Sequence, residues 1–314
     1  MRMRSHVLIT VDELRAALNE ATILDASWVY PPLNHAGIDV RKRYAVAHIP
    51  RSWFLDLASM SDPAKRYDPR VEVVTPLRPE ALQATLAQAG AGPSSLVVVT
   101  DMDGGCTTAP FARHALMHAG FVNVRLLDGG TPAWRRGPVG LTDREPRYLQ
   151  AGAVPGPSAP DVDQGSAFAS YGWIKRVLEG RQPAQIVDSR IDRSNQGFLP
   201  PDYVGLEVPA AHVPSNAVLE PADDALRFRR EPELREIFDT AGIDRRAFKV
   251  TTCYFGMGAS VVATALEIAG FDPVLVYPGS LVEYAVREGL VQPADVAERV
   301  PSAAGLLSDG RSAK

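Results

Sequence analysis

The chain has 314 residues, a length that suits two domains of ordinary size better than one. Its residues are 46% hydrophobic and 22% charged, the balance of a folded globular protein rather than a disordered or fibrous one. A net charge of -4 excludes the concentrated positive field that nucleic-acid phosphates require, and leaves the run Arg41-Lys42-Arg43 as a solvated face. No stretch approaches the roughly 18 uninterrupted apolar residues of a membrane span, and Met1 to Thr10 lacks a signal peptide's apolar core, so no membrane partner and a cytoplasmic location are expected. Two cysteines, Cys106 and Cys253, are too few for a disulfide framework and lack the clustered partners of a structural metal site.

In chain order, the predicted elements run twice through the same landmarks. An apolar run ends in acid at Ile23-Leu24-Asp25 and again at Ile186-Val187-Asp188, each reading as a buried strand that stops at a loop. Ala47-His48-Ile49-Pro50 and Ala211-His212-Val213-Pro214 follow at a nearly constant offset. A second strand, Leu96 to Thr100 or Phe248 to Thr252, leads into a Gly-rich loop opening at Asp101 or Cys253, then into a helix ending at Ala119-Gly120-Phe121 or Ala269-Gly270-Phe271. A third strand, Val124 to Leu127 or Val274 to Tyr277, closes each half. Short apolar strands alternating with helices imply an α/β fold: two tandem domains, each a parallel sheet with helices on both faces. The Pro- and Gly-rich segment from Leu141 to Ser166 reads as a connection, dividing the chain into 1–154 and 155–314, and the tail from Pro301 is expected to fray.

In an open parallel sheet, ligands gather beyond the carboxyl ends of the strands, where loops enter helix N-termini. Cys253 stands at such a place, and the loop Tyr254-Phe255-Gly256-Met257-Gly258-Ala259 can curl its amides around one centre before a helix from Val261 to Ile268. Such a setting is expected to lower the thiol pKa and favour the nucleophilic thiolate. The alternative is a small buried hydrophobe, the usual fate of a free cysteine. Cys106 lies later in its own loop and reads as structural.

With these marks in place, the sequence from about Val11 to Glu288 resembles the tandem-domain rhodaneses, the thiosulfate and 3-mercaptopyruvate sulfurtransferases. The resemblance rests on Leu24-Asp25-Ala26-Ser27-Trp28, Ala47-His48-Ile49-Pro50, Leu127-Asp128-Gly129-Gly130 with Ala133-Trp134, Val187-Asp188-Ser189-Arg190 and the Cys253 loop. It implies a sulfurtransferase in which the first domain is catalytically silent, Asp101 replacing the cysteine. Cys253 would take sulfane sulfur from a small donor as a persulfide and pass it to a thiol or cyanide, with no metal or organic cofactor.

The departures fall where that family selects its donor. Tyr254 and Phe255 stand where a thiosulfate-type loop has Arg and Lys, and Phe255 takes the serine place of the mercaptopyruvate-type relay, although His48 and Asp39 match the relay's other positions. The two arginines that hold mercaptopyruvate's carboxylate align near Ser194 and Tyr203, with Arg193 adjacent. A less charged, more apolar donor, or a persulfide carried by another protein, is therefore expected. Arg193 is the candidate contact for an anionic group, and Arg190 is expected to brace the loop through a carboxylate.

His48 and His212 read as structural, Asp25, Asp128 and Asp188 as loop-fixing acceptors, and His114 with His118 as one helix face. Ala259 stands where a phosphatase's Cys-x5-Arg loop needs arginine, which argues against phosphate chemistry. The competing function is a non-catalytic sulfur carrier or protein-binding module. A monomer is expected, since two domains facing each other can cover Cys253.

Overall fold

A computed structural model describes residues 4–30, 36–57, 61, 67–68, 70–71, 78–151, 167–193 and 199–293. The first half comprises α1 (Arg4–Val7), β1 (Leu8–Ile9), α2 (Val11–Ala16), β2 (Thr22–Asp25), α3 (Val40–Val46), β3 (Trp53–Phe54), α4 (Pro79–Ala87), β4 (Val97–Thr100), α5 (Ala109–His118), β5 (Val124–Leu127), α6 (Gly130–Arg135) and β6 (Arg147–Tyr148). The second comprises α7 (Tyr171–Leu178), β7 (Gln185–Asp188), β8 (Ala211–His212), β9 (Leu219–Ala222), β10 (Ala225–Phe228), α8 (Glu231–Thr240), β11 (Lys249–Thr252), α9 (Met257–Ala269), β12 (Val274–Val276) and α10 (Ser280–Arg287).

The duplication read in the sequence is a duplication of topology. The first sheet runs β1-β5-β4-β2-β3-β6 and the second β12-β11-β7-β8, every pairing parallel. The central strands β4 and β11 are buried along their whole length, and their Val- and Thr-rich sequences suit a sheet covered on both faces. Register makes the two halves comparable residue by residue. Asp25 lies opposite Thr100, the residue before Asp101, and Asp188 lies opposite Thr252, the residue before Cys253.

Three features depart from the sequence reading. Arg147–Tyr148, inside the expected connection, is the edge strand β6 pairing with β3; a two-residue strand is too short to show a period. The antiparallel β9–β10 hairpin crosses from the second half to the first, where the Leu226 amide donates to the Asp103 carbonyl at 3.2 Å and Asp224 pairs with Arg135 and Arg136. The halves also share one apolar cluster, which continues from Val99, Phe111 and Leu116 to Val262, Leu266 and Phe271 through the contact of α5 with α9. The boundary placed at 154/155, Ser194 and the tail from Pro301 lie outside the described residues.

Candidate active site

Cys253 is the first residue beyond β11, at the carboxyl edge of the second sheet, and only 6% exposed. Gly256 then turns the chain into α9. Its φ of 92° lies in the left-handed region, and a Cβ there would stand 2.6 Å from the Pro278 carbonyl oxygen, so only glycine fits. The helix starts at Met257, four residues before the expected Val261, and so Met257, Gly258 and Ala259 form its first turn rather than loop. The consequence is a tight cradle: the Gly256 amide donates to Cys253 Sγ at 3.1 Å, at the positive end of a thirteen-residue helix.

Ser280, brought in from the start of α10, completes the cradle. Its Oγ accepts from the Cys253 amide at 3.1 Å, donates to the Tyr277 carbonyl at 2.7 Å and lies 4.0 Å from Sγ. Burial pushes the Cys253 thiol up, against the amides of Ala259, Phe255 and Gly256 and the Ser280 hydroxyl, which pull it down. Burial wins, and the expected lowering of the thiol pKa is corrected: the free cysteine is held as a thiol by its dry surroundings. Ser189, beside the loop, keeps a buried hydroxyl without a hydrogen-bond partner among the described residues.

Charge around the loop is already committed. Arg190 is forked onto Asp188 (Nη2 to Oδ2 2.8 Å, Nε to Oδ1 3.1 Å), donates to the Leu206 carbonyl and lies over the Tyr254 ring at 5.4 Å, a brace for the loop. Arg193 is shared between Asp188 at 3.3 Å and Glu207 at 3.5 Å, though its Nε makes no hydrogen bond. The Tyr254 hydroxyl donates to the Asp192 carbonyl. Phe255 stacks on Tyr30 of the first half, ring centroids 4.5 Å apart, and Trp28 lies 5.8 Å beyond Tyr30. An aromatic wall therefore spans the halves beside Cys253.

His48 and Asp39 are not brought together. His48 is buried, its Nδ1–H donating to the Tyr44 carbonyl at 2.8 Å, while Asp39 caps the other end of α3 by accepting from the Lys42 amide at 2.9 Å. His212 donates to the Arg190 carbonyl at 2.8 Å. Tyr203, aligned with a clamp arginine, donates its hydroxyl to Asp68 at 3.0 Å. His114, read together with His118 as one helix face, lies where that face of α5 meets α9: it is buried between the halves and bonds to Glu267 at 3.1 Å.

The corresponding loop of the first half holds a carboxylate where the second holds a thiol. Asp101 is fully buried and accepts from the amides of Asp103, Gly105, Thr107, Thr108 and Ala109 at 2.8–3.0 Å. This is an anion nest filled by its own side chain. Cys106 lies behind it, its thiol pushed up by burial and by Asp101 and Asp103. The sequence reading missed Ser280, Ser189 and Tyr30. Only the run Pro278-Gly279-Ser280 at the end of the third strand signalled the first of them.

Comparisons with known proteins give the family of the chain. Residues 10–136 match the model of the rhodanese-like domain. The chain is 31% identical over 280 residues to the 3-mercaptopyruvate sulfurtransferase of Homo sapiens, covering 87% of each, and 30% identical over 297 residues to the putative thiosulfate sulfurtransferase SseB of Mycobacterium tuberculosis, covering 90% of this chain and 95% of that one. The crystal structure of SseA from Escherichia coli superposes with a TM-score of 0.64 at 22% identity, over 87% of this chain and 98% of that one.

Proposed function

Because the chain belongs to the rhodanese-like sulfurtransferases, we propose that it moves sulfane sulfur through a persulfide on Cys253. The observation that carries this reading is the Cys253 sulfur at a strand end, held by the Gly256 amide at the N-terminus of α9 and flanked by the Ser280 hydroxyl. In the first step the donor's terminal sulfur joins Sγ, the donor's own sulfur–sulfur bond breaks, and the donor thiolate leaves. From a persulfide anion R–S–S⁻, the Cys253 proton ends on the transferred sulfur, leaving Cys253–S–SH and R–S⁻. An acceptor thiolate or cyanide then removes the outer sulfur and restores the thiol.

The surroundings favour an organic persulfide over thiosulfate. A dianion needs cations that are not already neutralised, whereas Arg190 is occupied by Asp188 and Arg193 is shared between two carboxylates. Tyr254, Phe255 and Tyr30 offer apolar surface instead. We assign to Arg193 a single carboxylate on the donor, reached by swinging its half-exposed guanidinium away from Asp188. No proton relay is assigned to His48 and Asp39, whose bonds go elsewhere. The contact of Phe255 with Tyr30 joins the halves within one chain, so the working unit we propose is a cytoplasmic monomer with a small sulfur donor and acceptor. Among the described residues, no helix is long and apolar enough to cross a membrane.

Intact mass after incubation with thiosulfate, mercaptopyruvate and an aromatic persulfide tests the reading. The expected result is a gain of about 32 Da from the persulfide donor, removable by cyanide and missing in Cys253→Ser. No gain with any donor would leave the protein a binding module with a sulfurtransferase fold, and a single gain without steady-state turnover would make it a sulfur carrier.

A further inference from the structure

The two halves invite a comparison one strand away from the cysteine. Asp25 and Asp188 close equivalent strands and are matched bond for bond. Each Oδ1 accepts the amide two residues on, Ser27 at 3.0 Å and Arg190 at 3.1 Å. Each main-chain carbonyl accepts the equivalent amide across the sheet, Leu55 at 2.8 Å and Val213 at 2.9 Å. The correspondence ends at the side chains. Asp188 is neutralised by Arg190, whose guanidinium lies against Tyr254, whereas the equivalent positions in the first half hold Ser27 and Met102.

Where the guanidinium and phenol ring lie in the second half, the first half has a cavity of about 210 Å³ lined by Asp25, Ser27 and Met102. Asp25 is 5% exposed, lines this cavity, and pairs with no cation among the described residues. A buried carboxylate without a cation is costly, and its counterpart in the same molecule shows what kind of partner fits. Arg43 on α3 lines the cavity too, exposed and without a carboxylate within ion-pair distance among the described residues. Val40, Val46 and Leu141 supply apolar wall. The cavity suits a metabolite of amino-acid size rather than a larger ligand.

We propose that the first half binds an amino acid with a cationic side chain, its guanidinium or ammonium on Asp25 as Arg190 lies on Asp188, and its carboxylate on Arg43. The site is separate from Cys253 and does not depend on the sulfur chemistry. The charged and titratable groups around the Asp25 carboxyl are Asp101 and Asp103 of the silent loop, Arg43 and Tyr44 of α3, and Arg135 of α6, which is paired with Asp224. Burial, with a smaller contribution from Asp101, pushes the Asp25 carboxyl up to about 6 against the Ser27 hydrogen bonds and Arg43. Binding should therefore weaken as the pH falls through that value and the carboxylate is lost.

The test is isothermal titration calorimetry of the full chain with L-arginine and L-lysine, with L-citrulline as the uncharged isostere of arginine. Saturable binding of L-arginine or L-lysine at neutral pH is expected, with L-citrulline weaker by at least about tenfold because it lacks the charge that Asp25 needs. Asp25→Asn removes the carboxylate, and Ser27→Arg supplies a tethered guanidinium that fills the cavity; both should abolish binding. Thermal melts establish that each variant is folded, and Ser27→Arg keeps the test decisive if Asp25→Asn does not fold. No saturation by either cationic amino acid up to about 10 mM, a weaker affinity than any working metabolite site would have, would overturn the proposal. Equal binding of L-citrulline, or unchanged binding in folded Ser27→Arg, would overturn it as well.

Discussion

Ser280 has one hydroxyl proton and two acceptors for it. At rest it donates to the Tyr277 carbonyl at 2.7 Å, with Cys253 Sγ 4.0 Å away. Once the sulfur carries charge, the better acceptor is the anion, and rotation about one bond redirects the donor. The residue sits at φ 49°, unfavourable for a side chain by about 1–2 kcal/mol, and the bonds from the Cys253 amide and to Tyr277 hold it there. Ser280→Ala should keep the fold, lower the rate of persulfide formation by about 10- to 100-fold, and move the pH profile of Cys253 alkylation upward. An unchanged alkylation profile would reduce Ser280 to a structural part. The cysteine was legible because a strand, a glycine-rich loop and a helix follow one another in sequence. Ser280 was not, because it reaches the sulfur only through the fold. The direction of the thiol's shift was equally hidden, since burial is a tertiary property that no local pattern reports.

Equivalent strand ends carry opposite electrostatic economies. Asp188 and Arg190 form a buried fork in which each cancels the other, so Asp188→Asn leaves a buried guanidinium uncompensated and should destabilise the protein by about 3–5 kcal/mol. Asp25→Asn should do the reverse in the absence of ligand. The folded carboxyl is held at about 6 against 3.8 unfolded, so its ionisation opposes folding. That penalty is nil below pH 3.8, grows as the pH rises between the two values, and reaches about 3 kcal/mol above pH 6. Chemical denaturation checks the sign: Asp25→Asn should gain about 0 kcal/mol at pH 3.5 and about 3 kcal/mol at pH 8. A protein that retains a destabilising buried carboxylate commonly retains it for a function, in keeping with a ligand on Asp25. Both aspartates were expected to fix loops, and their bonds to Ser27 and Arg190 do so. That only one of them has its arginine was visible in Asp25-Ala26-Ser27 against Asp188-Ser189-Arg190, but the cavity that follows from it was not.

At the scale of the molecule, the tandem repeat was plain in the sequence, and what joins its halves was not. The junction is α5 against α9, helices distant in sequence whose contact depends on how two complete sheets face each other. Within it Glu267 takes Arg113 at 2.8 Å and His114 at 3.1 Å, while Arg113 also donates to the Val124 carbonyl at 3.0 Å. His114 donates from Nδ1 to the Pro110 carbonyl and presents Nε2 to the carboxylate, so both ring nitrogens face acceptors. Despite burial, the first and opposing influence, Arg113 and His114 hold Glu267 down to about 2. Stability drawn from that shift is fully present above the unfolded value of 4.5 and is lost as the pH falls from 4.5 towards 2. The wild type should lose about 3 kcal/mol across this window from Glu267 alone. Glu267→Gln, which cannot be titrated, should be less stable by about 3 kcal/mol at pH 7 because Arg113 is left buried without its charge partner, and the gap should close as the pH approaches 2. Because α9 also supplies the amides around Cys253, the variant should lose sulfur-transfer activity before it unfolds, as the loop carrying Phe255 comes away from Tyr30. Coincident loss of activity and of far-ultraviolet ellipticity in a urea titration would instead make the junction a purely global support.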